Sequence, residues 1–289
     1  MKKIIFKMIL ITGSSGFVGS NLINFFLKKK IKYIGIDKTK NLYLKNLNFE
    51  KTDISNLKKF EKIFKKYKPR IIIHLAAISG VGSCHENIDK AFKVNIEGTF
   101  NVLYLAKKYK CKKILLASSF ATDNFYTRPN YYGFTKKSLE NMALSFRKNF
   151  HLDVGVIKFS NIFGPFSLHK NSAIHQLIKC NLSRNFFKIH GTGKQSRDFI
   201  YIDEVISSLN KILNSKKLSL INFVHTKKLT TLLDVIKVIN EISKTKTRCK
   251  FTEAPAGYDI EVKKNTNSSL KNLTKNLKKT FSWYRSNYK

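Results

Sequence analysis

Three glycines, Gly13, Gly16 and Gly19, stand three residues apart between a short apolar run and a helical pattern. Nothing else in the sequence constrains the fold as much. Met8–Thr12 reads as a buried strand and Gly19–Lys29 as the helix after it. Between them, a backbone bare of side chains lets the amides of Ser15, Gly16, Phe17, Val18 and Gly19 and the helix N-terminus approach a pyrophosphate. The spacing is G-x-x-G-x-x-G rather than G-x-G-x-x-G, and three glycines alone are a weak signal. An acid at the end of the next strand strengthens it. Asp37 closes Ile34-Gly-Ile-Asp37, 18 residues after Gly19, where a carboxylate accepts the hydroxyls of an adenosine ribose. It repels a 2′-phosphate, so NAD is expected over NADP, although Lys38 and Lys40 soften that repulsion.

Strand and helix patterns alternate through the first half. Lys32–Ile36, Ile71–Leu75, Lys113–Ala117 and Val154–Phe159 read as strands, and Leu57–Tyr67, Asp89–Lys108 and Tyr132–Asn149 as helices. Alternation at this spacing predicts an α/β fold, a doubly wound parallel sheet of the Rossmann type. After Gly164-Pro165 the pattern turns irregular and more polar. The expectation is a nucleotide-binding domain over 1–165, rejoined by a segment near 203–226, with residues 166–289 forming mainly a small substrate domain. Asp53-Ile54 follows a further strand. Leu75-Ala76-Ala77, after His74, is apolar and small enough for an adenine or nicotinamide ring to lie against the sheet. A lone His74 is more often a satisfied structural histidine than a catalyst.

Tyr132-Gly-Phe-Thr-Lys136 opens a helical pattern, and residues four apart share one face. The tyrosine hydroxyl and the ammonium then point into one cleft. A free tyrosine, with a pKa near 10, is no base at neutral pH, but a nearby cation favours its phenolate. In a lysine-rich chain this spacing also arises by chance. Upstream, the strand Lys113–Ala117 leads into Ser118-Ser119, one of which could bond the same substrate oxygen as Tyr132; a strand-end serine is otherwise a turn residue or cap.

The chain of 289 residues carries 55 Lys and Arg against 18 Asp and Glu, a formal charge of +37. Its 43% hydrophobic and 25% charged content excludes a disordered or collagen-like chain. Such a charge raises nucleic acid, an anionic membrane surface or an acidic substrate as a partner. Only seven of the cations are Arg, however, and the Lys form no long block. Abundant Lys, Ile, Asn and Phe also fit an AT-rich coding bias, so no specific nucleic-acid partner is expected. Cys84, Cys111, Cys180 and Cys249 are scattered, which predicts reduced thiols in the cytoplasm, and neither they nor the seven His show metal-ligand spacing. Lys7 interrupts the N-terminal apolar run and no small-residue cleavage site follows, so a strand is favoured there over a signal peptide. No apolar stretch approaches the roughly 18 residues of a membrane span, and no membrane partner is expected.

The sequence resembles the extended short-chain dehydrogenase/reductases, specifically the NAD-dependent epimerase/dehydratase group acting on nucleotide sugars. The resemblance rests on Gly13–Gly19, Asp37, Asp53-Ile54, His74–Ala77, Val94-Asn95-Ile-Glu-Gly-Thr-Phe-Asn-Val-Leu103, Ser118-Ser119, Tyr132–Lys136, Ser160-Asn161-Ile-Phe-Gly-Pro165 and Gly191–Val205, which contains Arg197. It implies that Tyr132 is the catalytic acid and base, that Lys136 binds the nicotinamide ribose and tunes Tyr132, and that Ser119, with Ser118 beside it, orients the sugar hydroxyl. Asn95 would belong to the cofactor site, and Asn161 and Arg197 would hold the substrate's nucleotide and diphosphate. Guanidinium suits phosphate, although an ion pair of Arg197 with Asp198 is the plainer alternative. The implied reaction is a C4 epimerisation through a transient 4-keto sugar, of the UDP-hexose 4-epimerase kind, supplying surface polysaccharide or lipopolysaccharide. A homodimer through Asp89–Lys108 and Tyr132–Asn149 is implied as well. Relatives that dehydrate carry an Asp-Glu pair after the strand-end hydroxyl, and decarboxylases a Glu; Phe120 and Ala121 stand there instead. A 4-keto-sugar reductase or dehydratase remains an alternative, as does a cofactor-sensing binding protein. Lys158 occupies a place where relatives usually have Arg.

Overall fold

The structure, a computed structural model, describes residues 8–45, 47–123, 126, 129–253 and 270–288. The chain divides into two compact units: Met1–Phe159 with Ile206–Val224, and Ser160–Val205 with His225–Lys289.

The first unit is built on a parallel seven-stranded sheet. Its strands are β1 (Ile9–Thr12), β2 (Tyr33–Asp37), β3 (Phe49–Lys51), β4 (Ile71–His74), β5 (Lys113–Ser119), β6 (Val154–Phe159) and β10 (Ile221–Val224), in the order β10-β6-β5-β4-β1-β2-β3. The expected doubly wound sheet is therefore present. Buried on both faces, its strands read as near-continuous apolar runs such as Ile71-Ile-Ile73, each residue at most 3% exposed. The chain moves outward from β1 to β2 and β3, then returns through β4 on the other side of β1. That reversal opens a crevice at the carboxyl ends of β1 and β4, where open α/β sheets bind ligands.

Helix boundaries follow local chemistry. In α2 (Leu57–Tyr67) the Asn56 side chain accepts the Lys59 N–H at 3.0 Å, while Phe60, Ile63 and Phe64, spaced for one face, pack into the core. In α6 (Tyr131–Phe150) Asn130 accepts the Gly133 N–H at 2.8 Å. This cap fixes where the helix begins and so which way Tyr132 and Lys136 face. The expected single helix over Asp89–Lys108 is broken into α4 (Ile88–Ala91), a π-helical stretch Phe92–Glu97 and α5 (Gly98–Lys108). The wide turn carries Asn95 inward, where its side chain bonds Ile78 and Thr135, a use typical of π-bulges. At Gly98 a Cβ would lie 2.6 Å from Ile54 Cδ1, so any larger residue there would have to displace the Ile54 side chain.

In the second unit β7 (Asn161–Phe163), β9 (Ser196–Tyr201) and β11 (Leu229–Thr231) form one sheet, and β8 (Phe187–His190) with β12 (Cys249–Thr252) a second. Residues 161–163 belong to this unit because they pair with 199–201 of β9.

Candidate active site

The glycine turn sits where β1 meets the crevice. Gly13 has φ +69°, and a Cβ on it would come within 2.6 Å of the Ala76 nitrogen and 2.7 Å of the Leu75 carbonyl carbon. Only glycine permits both the left-handed backbone and that approach of the two strand ends. Gly19 serves the packing of α1 (Phe17–Lys28) on the turn, since its Cβ would meet Gly13 O at 2.2 Å. Gly16 is the extended N-cap of α1. It brings no capping side chain, and the first turn of the helix contains no acid. The Phe17 side chain itself is core; Phe17 and Val18 offer the site backbone. Asp37, at the end of β2, accepts the Ser15 N–H at 3.1 Å and the Thr39 N–H at 3.2 Å. Turn, helix terminus and carboxylate together fit a dinucleotide such as NAD.

Around this crevice the other expected cofactor residues sort by what their side chains hold. Asp53 accepts Ser55 N–H at 2.9 Å and Ser55 Oγ at 2.7 Å and pairs with Lys38 Nζ at 2.9 Å. Burial pushes its carboxyl up, but Ser55 and Lys38 more than offset this and hold it below its ordinary value. Lys38, expected to soften repulsion of a 2′-phosphate, is spent on that pair. Ile54 packs in the core beside Gly98. Leu75, Ala76 and Ala77 are half-buried at the end of β4, in the place expected for a ring against the sheet. Asn95 departs from expectation. It is 2% exposed, accepts Ile78 N–H at 2.8 Å, and donates to Ile78 O at 3.0 Å and Thr135 Oγ1 at 3.1 Å. Its amide is consumed inside the protein, so it positions the site and does not present its side chain to a ligand.

Tyr132, Lys136 and Ser119 are brought together. Lys136 is 4% exposed, donates to Ala117 O at 2.7 Å, and lies 6.0 Å from the centre of the Tyr132 ring. Burial raises the Tyr132 phenol to about 12, against the lowering effect of a hydrogen bond with Ser119. The protein alone therefore keeps this tyrosine protonated. Ser119 Oγ also accepts the Ala121 N–H at 3.1 Å, capping the 3-10 turn Phe120–Thr122. Ser118 departs from expectation, because successive strand residues face opposite sides. Its hydroxyl donates to Glu140 Oε1 at 2.7 Å, and it is 4% exposed.

Two hydrogen-bonded groupings were not read from the sequence, although Lys158 and the structural histidine His74 were each noted there. Glu140 takes Ser118 and Thr122 Oγ1 (2.9 Å) and lies 3.6 Å from Lys158 Nζ, which also binds Asp123 Oδ1 at 2.5 Å. Glu140 was legible in principle, being four residues beyond Lys136 on the Tyr132 face. The second group is a buried chain of hydrogen bonds. Ala76 N–H donates to Thr12 Oγ1 (3.2 Å), which contacts His74 Nδ1 (2.7 Å); His74 Nε2 contacts Thr99 Oγ1 (3.0 Å), which donates to Asn95 O (2.6 Å). Since the Thr99 proton is used on Asn95, His74 carries its own on Nε2 and accepts from Thr12. Asn95 passes the chain to Thr135, which donates to Tyr132 O at 2.9 Å. His74 is thus structural, tying the glycine turn to the first turn of α6.

In the second unit, Asn161 donates to Asp198 O at 3.2 Å, and Arg197 to Ser196 O at 2.8 Å. Asp198 accepts Ser160 Oγ at 3.0 Å and the Thr226 N–H at 3.0 and 3.1 Å. The two residues expected to hold the substrate's nucleotide therefore lie on adjoining strands β7 and β9.

Residues 9–222 match the model of the NAD dependent epimerase/dehydratase family. The chain belongs to that family. The epimerase/dehydratase chain is 32% identical to a dTDP-D-glucose 4,6-dehydratase of Dictyostelium discoideum over 82% of its own length and 62% of that protein's, so it spans less than two thirds of this relative. It is 27% identical to a UDP-glucuronate 4-epimerase of Thermodesulfobacterium geofontis, over 96% of each chain. Its fold matches the crystal structure of a UDP-glucuronic acid 4-epimerase from Bacillus cereus in complex with UDP-glucuronic acid and NAD, with TM-score 0.84 and 26% identity over 97% of this chain and 100% of that one. The protein is an enzyme of an NAD-dependent family.

Proposed function

We propose that the protein is an NAD-dependent 4-epimerase of a nucleotide-activated sugar. The observation that carries this is Ser119, Tyr132 and Lys136 gathered at the end of β5 with Phe120 and Ala121 next in line. A dehydratase needs an acid at that place to expel water. The nearest following carboxylate, Asp123, is bound to Lys158. The 4-epimerases among the relatives support the same reading.

The glycine turn, the amides of α1, Asp37 and Lys136 would hold NAD, with Asp37 disfavouring a 2′-phosphate. NAD, when bound, takes up and returns a hydride at the sugar C4. Tyr132 removes the proton from the 4-hydroxyl and later gives it back. Ser119 hydrogen-bonds the same oxygen and stabilises the charge that develops on it. The Lys136 ammonium favours the phenolate and so opposes the burial that holds Tyr132 protonated. Asn161 and Arg197 bind the nucleotide and diphosphate. A homodimer is supported by large exposed apolar side chains on the two long helices, Phe100 and Tyr104 on α5 and Phe134 and Leu144 on α6. A cytoplasmic setting fits the free thiols Cys84 and Cys111.

The test is incubation of the protein with UDP-glucose, UDP-galactose, UDP-glucuronate and their N-acetyl forms without added cofactor, reading the C4 configuration by NMR. Interconversion without net NADH, lost in Tyr132→Phe, is expected. A strict need for stoichiometric NADPH, or accumulation of a 4-keto-6-deoxy sugar, would overturn the epimerase reading in favour of a reductase or a dehydratase.

A further inference from the structure

We propose that the amino-terminal end of the parallel sheet in the first unit is a docking surface for an anionic lipid bilayer. All helix-to-strand turns of a parallel sheet meet at one end, and here they share a composition. Residues 28–32 read Lys-Lys-Lys-Ile-Lys before β2, 65–70 read Lys-Lys-Tyr-Lys-Pro-Arg before β4, and 107–113 read Lys-Lys-Tyr-Lys-Cys-Lys-Lys before β5. The turn into β10 adds Lys216 and Lys217. In sheet order these turns belong to β10, β5, β4 and β2, a row about 24 Å long at about 4.8 Å per strand. Apart from Arg70 and Lys113, which are half-buried, every cation in them is exposed.

The four turns named contain no acid. The acids beside them are engaged: Glu50 and Glu61 are paired with Lys66 and Lys108 at 2.6 and 2.7 Å, and Asp153 accepts the Leu218 N–H at 3.0 Å. Asp37, Asp53 and Asp123 all sit at the carboxyl ends of the strands, with the cofactor crevice. Docking by the basic end leaves that crevice facing away from the lipid.

Three observations favour a bilayer over nucleic acid. The exposed cations are lysines, point charges without the planar fork that reads phosphate and base edges. The one other arginine at this end, Arg147, is committed to Val154 O and Leu218 O at 2.7 and 2.8 Å. Leu27 and Phe150, at the ends of α1 and α6, stand exposed among the lysines, with Lys107 Nζ 3.7 Å from the Phe150 ring centre. Apolar side chains within a basic face suit insertion between lipid headgroups. Lysine also holds the left-handed positions that end these turns, Lys30, Lys68 and Lys110, where glycine would relax the backbone. No helix among the described residues is long and apolar enough to cross a membrane, so the contact is peripheral. The sequence reading expected no membrane partner because no apolar stretch is long enough to span one; the lysines are dispersed along the chain, and the sheet gathers them.

Co-sedimentation of the full chain with vesicles of phosphatidylcholine containing about one-third phosphatidylglycerol, against phosphatidylcholine alone, tests this. Binding to the anionic vesicles only is expected. It should weaken about tenfold or more in the triple variant Lys28→Gln, Lys65→Gln, Lys112→Gln, and less than about twofold in Lys45→Gln, Lys58→Gln, Lys59→Gln, which removes the same charge from the opposite end. Circular dichroism would establish that both variants fold. Three results would overturn the proposal: no sedimentation at about 0.1 M salt, equal weakening by the two triple variants, or release from the vesicles by duplex DNA at a lower phosphate concentration than the lipid presents. The last would assign the face to nucleic acid. Each leaves the epimerase reading untouched.

Discussion

Replacing His74 with Phe removes the middle of the chain that joins the glycine turn to the first turn of α6. Thr12 Oγ1 loses its acceptor and Thr99 Oγ1 its donor, both in the core. At about 1–3 kcal/mol for a buried group left unsatisfied, the variant should be less stable at pH 7 by about 2–4 kcal/mol. The pH dependence distinguishes this from simple misfit. Burial, with Lys136 adding to it, holds the His74 imidazole down to about 3, against an ordinary 6.5. As pH falls through 6.5 the unfolded chain binds a proton there that the folded chain refuses until near pH 3. The stability tied to neutral His74 is therefore complete above 6.5 and drains between 6.5 and 3. At pH 4.5, two units below 6.5 and about 1.36 kcal/mol per unit, His74 alone withdraws about 2.7 kcal/mol from the wild type. Phe binds no proton, so the deficit of the variant should shrink by that amount and the two stability curves should meet or cross. Urea denaturation of both proteins at several pH values across this window measures the difference. His175, which burial likewise holds near 3, is present in both and cancels. Curves that stay parallel would refute the buried, neutral His74.

Gly13→Ala places a Cβ 2.6 Å from the Ala76 backbone at φ +69°, so the turn must deform; NAD affinity by calorimetry should fall at least about tenfold, with a loss of thermal stability. Lys158→Met leaves Asp123 without its cation and Glu140, 7% exposed, with Lys137 alone at 3.7 Å. Denaturant unfolding should register a loss of about 3–5 kcal/mol, with Lys158→Arg within about 1 kcal/mol of wild type. Lys244→Gly relieves φ +56° at the end of α9 (Leu232–Ser243); a gain of about 0.5–1 kcal/mol should appear in the same assay.

Local patterns carried the parts of the fold and site that depend on neighbours in sequence. The strand β6 and the helix α2 have the bounds their periodicity predicts, and Tyr132 with Lys136 meet because four residues make one helical face. Asp37 falls beside the Ser15 amide because a strand of fixed length separates two short turns. The misreadings share one cause. Ser118 and Ser119 are equivalent as letters, and only the packing of β5 against α6 gives Ser118 to Glu140 and Ser119 to Tyr132. Asn95 has the right motif, but a π-turn invisible to a 3.6-residue period spends its amide on Ile78 and Thr135.

By itself the sequence determined the doubly wound sheet, the glycine turn with its carboxylate, the Tyr–Lys pair and the replacement of the dehydratase acids by Phe120 and Ala121, since each lies in a short window where backbone geometry follows residue type. Tertiary structure decided what those windows touch. It closed Gly13 onto Ala76, threaded Thr12, His74 and Thr99 from three separate elements into one hydrogen-bond chain, and set Glu140 and Lys158 behind the catalytic turn. It also resolved the charge of +37. Lysines dispersed along the chain gather at one end of the first unit because a parallel sheet delivers its helix-to-strand turns there, away from Asp37, Asp53 and Asp123.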